Sequence, residues 1–497
     1  MPIAEFKARH TELSLLDDLW GDAQATLLIL YGRRRVGKTR LLTHWMRQTR
    51  NRALYWVADP TSTRDQLRSF SQAIYNFADP QQPAPDDFTY ANWAQAWQQV
   101  AHLAQSERLA LFVDEFTYLL DAEPGIAGMV QNAWDHILKQ SNLFLVLSGS
   151  HLGMMQRHVL AYQAPLYGRA TANLRLLPLP FGVTRSFFPK YDAAERVAIY
   201  AIFGGIPAYW ERLNPNATIS ENIRHQLLTD NDLMQDEPRL LLQDFVTDPN
   251  NYVAILRAIG HGAREQKEIT QRTGLAQGHV SKYLSVLREA GFVERRMPVT
   301  AGESSRLGRY HITDPYLRFY YRFLASRQAQ LALGVQEQAL AEIKQHLLDF
   351  IGTYTWEELC REWLLRASAY GDLPCVPDQV GSAWTRKTQV DVVGINTMEK
   401  TLILGECKWS PHRVGRSVLD GLIAKTGEMV PQQGNWTVYY FGFARGGWTE
   451  DATALAKALA RSKESGTNWQ TAGMRLLELD RVDADLSRWA TKPSRVR

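Results

Sequence analysis

Apolar residues gather in short, nearly unbroken runs through the first third of the chain: Ala25 to Tyr31, Ala53 to Val57, Leu109 to Val113, Leu143 to Leu147 and Leu174 to Leu177. Runs of this length without polar alternation read as strands buried on both faces, the pattern of a parallel α/β sheet covered by helices. From about 193 to 242 the spacing changes to three and four residues, which predicts helices interrupted at Pro207 and Pro215. No catalytic cluster lies in that stretch, and a lid over the preceding sheet is its simplest role. Residues 252–297 show a winged-helix rhythm: a helix from Tyr252 to Gly260, a short helix from Gln266 to Leu275, a longer one from Gln277 to Ala290, and a wing beginning at Gly291. Ile269, Leu275, Val280, Leu284 and Leu287 have the spacing of its small core. Further on, Val390–Val393 and Thr401–Lys408 read as neighbouring strands joined by a turn, with Trp436–Phe443 as the next strand.

The first apolar run leads into Gly32-Arg33-Arg34-Arg35-Val36-Gly37-Lys38-Thr39, followed by Arg40 and residues of helical character. Strand, glycine-bearing turn and helix in that order form a phosphate-binding loop, in which backbone N–H groups at the helix start face an anion. Lys38 is expected to reach the terminal phosphates of a nucleoside triphosphate, and Thr39 to hold Mg²⁺. The run Leu109–Val113 ends in Asp114-Glu115. Ligands of a parallel sheet sit beyond the carboxyl ends of its strands, which brings both acids beside the loop. Asp114 would bind Mg²⁺ through water, and Glu115 would polarise the attacking water. The run Leu143–Leu147 ends in Ser148-Gly149-Ser150, whose hydroxyls either contact the γ-phosphate or simply shape a strand-to-helix turn.

Composition narrows the class. At 497 residues the chain calls for several domains, and 45% hydrophobic with 22% charged residues describes a soluble globular protein. No apolar stretch reaches membrane-span length and the N-terminus lacks a signal-peptide core. Cys360, Cys375 and Cys407 fit neither a disulfide framework nor paired zinc spacing, so a cytoplasmic setting is expected. A net charge of +4 permits nucleic-acid binding without demanding it. On the polar side of the third winged-helix segment, Gln277, His279, Ser281 and Lys282, with Arg288, are the candidates for DNA contact; a protein-contact role is the alternative.

The loop, the Val113-Asp114-Glu115-Phe116 segment and Leu147-Ser148-Gly149-Ser150 together resemble the archaeal-type P-loop ATPases related to AAA+ and STAND proteins. Phe6 to Leu13, Pro165-Leu166-Tyr167-Gly168-Arg169 and Gly204-Gly205-Ile206-Pro207-Ala208-Tyr209 are similar to further landmarks of that family. The resemblance implies a five-stranded parallel core with a helical lid, Arg9 near the adenine, Pro207 near the lid base, and Arg169 as an arginine acting in trans within a homo-oligomer. For Arg169 a structural salt bridge is the competing reading.

A second constellation lies in the last third. Adjacent strands would bring Asp391 and Glu406 close enough to share a divalent ion, with Lys408 on the same face as Glu406. The acids and the Cys407 carbonyl would hold Mg²⁺ while Lys408 positions water for phosphodiester hydrolysis. This segment resembles the restriction-endonuclease-like PD-(D/E)XK superfamily, with Val390 in place of the motif's proline. The resemblance matches Glu357 to the acid of the opening helix and sets Lys425 on the following helix. It also admits domains that grip DNA without cutting it. The expected plan is thus α/β: an ATPase core over 1–178, a lid over 179–245, a winged helix over 246–310, a helical connector over 311–350, a nuclease-like α/β domain over 351–483 and a basic tail over 484–497. ATP and Mg²⁺ are the expected cofactors, DNA the expected partner, and no membrane or particular protein partner is implied.

Overall fold

A computed structural model of the chain describes residues 6–22, 24–229, 233–243, 245–246, 248–301, 305, 307–459 and 465–490. These form two compact units, one built from residues 1–179 with 206–208 and the other from 180–205 with 209–497.

The first unit is a sheet of five strands, β1 (Thr26–Tyr31), β2 (Ala53–Val57), β3 (Leu109–Asp114), β4 (Leu143–Gly149) and β5 (Ala172–Arg175), in the order β2-β3-β4-β1-β5. Every pairing is parallel. The three central strands are buried nearly throughout, as their unbroken apolar sequences require, and edge strand β5 alternates half-buried with exposed residues. Trp45, from helix Lys38–Thr49, packs on Phe112 and Phe144 at one face. Phe70, Trp97 and Trp134 belong to the core on the other. The parallel core inferred from the runs is present, and β4 lies between β1 and β3.

The second unit contains the winged helix, with helices Asn250–Gly260, Gln266–Thr273 and Gln277–Glu289, then a hairpin of β6 (Val293–Arg296) and β7 (Arg309–Ile312). Ile269, Val280, Leu284 and Leu287 are buried as expected, while Leu275 is only half-buried. The wing extends past residue 310, its expected boundary: Tyr310 and Ile312 are buried on its second strand.

A second five-stranded sheet follows, β8 (Gln379–Trp384), β9 (Gln389–Asn396), β10 (Thr401–Lys408), β11 (Trp436–Ala444) and β12 (Trp469–Glu478), in the order β12-β11-β10-β9-β8. It is mixed: β8, β9 and β10 pair antiparallel, and β10, β11 and β12 pair parallel.

Two expectations change here. Segment 180–205, read as part of a lid, belongs to the second unit because helix Ala193–Phe203 is tied to the final helix, Leu479–Ala490. Arg196 donates to both carboxylate oxygens of Asp483, at 3.1 and 2.6 Å, and both side chains are almost wholly buried. The expected tail is also shorter than residues 484–497, since Leu486 and Trp489 are buried on that helix; residues 491–497 lie outside the described residues. Removing one member of a buried pair strands the other charge in a poorly polarisable interior. Asp483→Ala should therefore lower the second unit's unfolding free energy by about 3–5 kcal/mol, read by denaturant titration. An apolar replacement of Arg196 and Asp483 together should cost far less.

Candidate nucleotide and nucleic-acid sites

Loop 32–39 turns sharply because two positions tolerate only glycine. A Cβ on Gly32 would lie 2.5 Å from the Leu176 carbonyl oxygen, and Gly37 has φ +100°. Gly32 N–H donates to the Gly149 carbonyl at 3.3 Å, which joins the loop to the end of β4. Lys38 is buried, and its ammonium donates to the carbonyls of Gly32 at 2.9 Å and Arg33 at 3.3 Å. Arg34 donates to the Tyr118 hydroxyl at 3.2 Å, Arg35 adopts a left-handed conformation with φ 65°, and the half-buried Arg40 has its pKa lowered by burial.

The acids at the end of β3 meet the loop. Thr39 Oγ1 donates to Asp114 Oδ2 at 2.6 Å, and Glu115 N–H donates to Asp114 Oδ1 at 3.0 Å. Glu115 adopts φ 52°, a left-handed backbone that non-glycine residues seldom take, and accepts from Ser150 Oγ at 2.6 Å. Ser150 thus contacts the acid expected to polarise water, whereas Ser148 Oγ is buried with no hydrogen-bond partner among the described residues. Sequence reasoning missed Tyr55. Its hydroxyl donates to Asp114 Oδ2, and burial followed by the Asp114 charge pushes the phenol pKa well up. No spacing motif announces it. Only the β2–β3 register, with Val57 opposite Asp114, brings it there.

Arg9 braces the loop. Its guanidinium pairs with Glu12 at 2.8 Å and donates to the carbonyls of Val36 at 3.1 Å and Leu177 at 2.6 Å. Burial lowers its pKa against the opposing pull of Glu12. Pro207 Cγ lies 4.0 Å from where a Cβ on Gly37 would stand. Arg169 forks onto Asp135, with Nε at 3.0 and 2.9 Å from its two oxygens, and also donates to the Pro165 carbonyl at 3.0 Å. That is the structural salt bridge of the competing reading.

Asp391 and Glu406 do come together. Register Gly405↔Val392 on antiparallel β9 and β10 sets the two acids opposite one another one step further along. Asp391 Oδ2 accepts from Cys407 N–H at 3.1 Å, and Gln389 Nε2 donates to Asp391 Oδ1 at 3.4 Å. Burial and then the Glu406 charge raise the Asp391 pKa. Glu406 is almost fully buried and held by two ammonium groups, Lys408 on Oε1 at 2.7 Å and Lys425 on Oε2 at 2.9 Å. Burial works against the charged form of Lys408, but the hydrogen bond and charge of Glu406 raise its pKa. Glu357 opens helix Glu357–Ala369, where burial and the nearby Asp391 push its carboxyl up to about 8. Arg361 donates to Glu357 Oε2 at 3.3 Å and to the Asp391 carbonyl at 2.9 Å.

Glu358, one residue on, faces elsewhere. It accepts from Arg296 on β6 at 2.6 Å and from Arg318 at 2.9 Å. Burial opposes its ionisation, yet the two guanidinium groups hold it down to about 2. Gln277, His279, Ser281 and Lys282 are all exposed on helix Gln277–Glu289, and Ser281 Oγ accepts from Gln266 Nε2 at 2.6 Å. Among the described residues no helix is long and apolar enough to cross a membrane.

Three stretches of the chain match known protein families. Residues 6–213 match an ATPase domain found predominantly in Archaea, residues 251–296 match the IclR helix-turn-helix domain, and residues 320–418 match a family of archaeal and bacterial proteins of unknown function. An uncharacterized protein of Methanocaldococcus jannaschii is 28% identical over 405 residues, covering 81% of this chain and 87% of the relative. An uncharacterized ATP-binding protein of the same organism is 48% identical over 44 residues, 9% of this chain and 75% of its own length. In fold, the chain is similar to a Walker-type ATPase of Pyrococcus abyssi, with a TM-score of 0.50 at 16% identity, over 64% of this chain and 96% of that one. The chain therefore joins an ATP-binding archaeal-type P-loop ATPase domain to an IclR-type helix-turn-helix and a mixed α/β C-terminal domain shared with proteins of unknown function.

Proposed function

We propose that this chain hydrolyses ATP at loop 32–39 and that its nucleotide state governs DNA engagement by the winged helix and by a Mg²⁺-dependent phosphodiester-hydrolysing site around Asp391 and Glu406. What carries the nucleotide half is the Thr39–Asp114 hydrogen bond of 2.6 Å, which gathers hard oxygen donors beside the loop. Those two residues suit Mg²⁺, with Asp114 acting through its water shell. The ion, when bound, neutralises charge on the β- and γ-phosphates. Lys38 exchanges its two loop carbonyls for phosphate oxygens, and Glu115 orients the attacking water once Ser150 releases it. Arg9 and Pro207 support the nucleotide-bound loop. Arg169 takes part only in an oligomer in which it has left Asp135.

At the second site two facing carboxylates and the Cys407 carbonyl suit Mg²⁺, which there would act as a Lewis acid on a phosphoryl oxygen. Lys408 is near enough to Glu406 to position water or the scissile phosphate. The domain would then be restriction-endonuclease-like in role as well as in motif. One observation favours a second reading, in which the domain grips DNA without cutting it: both Glu406 oxygens are already taken by ammonium groups. The deciding experiment is incubation of the full chain with Mg²⁺ and linear, supercoiled or single-stranded DNA, with and without ATP. Products supported by Mg²⁺ and absent in EDTA favour hydrolysis, and stable binding without products favours the second reading.

A further inference from the structure

Four arginines of the winged helix and its exit, Arg264, Arg296, Arg309 and Arg318, collect near the C-terminal acids, and they divide into two kinds. Arg296 and Arg318 both pair with Glu358, and Arg296 also with Glu294. Arg264 and Arg309 form no ion pair with a carboxylate among the described residues, and both are half-buried. The backbone holds them together: Tyr310 N–H, next to Arg309, donates to the Arg264 carbonyl at 2.8 Å. They are close enough that the Arg264 charge lowers the Arg309 pKa, after the larger effect of burial. The charges of Glu265 and Glu268 reach Arg309 without forming an ion pair, and two neighbouring guanidinium groups repel, so an arriving anion would relieve the repulsion.

Their setting points to where that anion lies. Arg309 stacks over the Trp384 ring at 4.6 Å and donates to Gln389 Oε1 at 2.9 Å. Gln389 in turn donates to Asp391, so wing strand β7 reaches the acid site through one side chain. Arg264 lies 5.9 Å above the Tyr354 ring, and its charge is felt at Glu357. A guanidinium held over an aromatic face by cation–π attraction keeps N–H donors for phosphate.

We infer that Arg264 and Arg309 bind the phosphate backbone of a DNA strand led past Asp391 and Glu406, so that the winged helix supplies one wall of the C-terminal site. This rests on the reading of that site as DNA-binding. It adds that the cations gripping the strand come from the start of helix Gln266–Thr273 and from β7, in addition to the exposed face of helix Gln277–Glu289.

The test is fluorescence anisotropy of a labelled DNA duplex, and of its single strand, with the full chain in EDTA over a salt titration. Arg264→Gln and Arg309→Gln should each weaken binding roughly tenfold, as expected for loss of a charged hydrogen bond. The double variant should flatten the slope of log affinity against log salt by about 1.8, close to 0.9 for each phosphate that is no longer neutralised. Arg309→Lys should restore most of the slope, which a purely structural role on Trp384 and Gln389 would not require, and ATP turnover should be unchanged in all variants. A double variant that binds with the wild-type slope and affinity overturns the inference and leaves the DNA-binding reading intact. A wild-type chain that binds neither DNA in any nucleotide state overturns both.

Discussion

Replacing Lys38 by alanine is expected to reduce ATP turnover by about 10²–10³-fold or more, the usual cost of removing one preorganised donor from a developing anion. The side chain is 5% exposed and its ammonium already stands against the loop carbonyls of Gly32 and Arg33. With nucleotide bound its ammonium would face the terminal phosphates, and a γ-phosphate without it keeps its charge through the transition state. The fold should survive, because the two carbonyls lose a donor at a loop that solvent can reach once the side chain is gone. Steady-state turnover together with a thermal melt checks both halves. An alanine variant that hydrolyses ATP within a factor of two of wild type removes the loop from the chemistry.

Asp391→Asn should abolish Mg²⁺-dependent DNA cleavage, by about 10³-fold or more, since a metal acting as Lewis acid contributes several kcal/mol to the transition state. Asparagine keeps the volume and one oxygen, so it can still accept from Cys407 N–H, and the β9–β10 pairing should persist. What it loses is the negative charge facing Glu406. ATP hydrolysis should be untouched, because Thr39, Asp114 and Glu115 belong to the other unit. Product formation on supercoiled DNA reads the outcome. Parallel loss of both activities would mean that the substitution damaged the chain as a whole, and wild-type cutting by the variant would take Asp391 out of the reaction.

The nucleotide site was legible because its signals are local. Strand β1, loop 32–39 and helix Lys38–Thr49 are contiguous, and the unbroken apolar runs of β3 and β4 identify buried strands whose C-terminal residues must converge. Tyr55 was not legible, because its approach to Asp114 depends on which strands are neighbours, and no periodicity carries that information. The same holds for Arg196 and Asp483, 287 residues apart, and hence for the placement of segment 180–205 with the second unit. The final helix is a different case. Leu479, Val482, Leu486 and Trp489 recur at three- and four-residue spacing and are all buried, a signal that the basic residues beyond them obscured. At the C-terminal site the acids and Lys408 followed from strand alternation. The second ammonium on Glu406, from Lys425, required the helix to fold back across β10.

Coupling between the two chemistries is tested most directly by DNA affinity. It should be measured for the full chain with a non-hydrolysable ATP analogue, with ADP and without nucleotide, beside Lys38→Ala under the same conditions. A coupling of about 1–3 kcal/mol, roughly five- to 150-fold between nucleotide states, is expected in wild type and should shrink in the variant in step with its loss of nucleotide binding. Identical affinity in all three states, with nucleotide demonstrably bound, would contradict it.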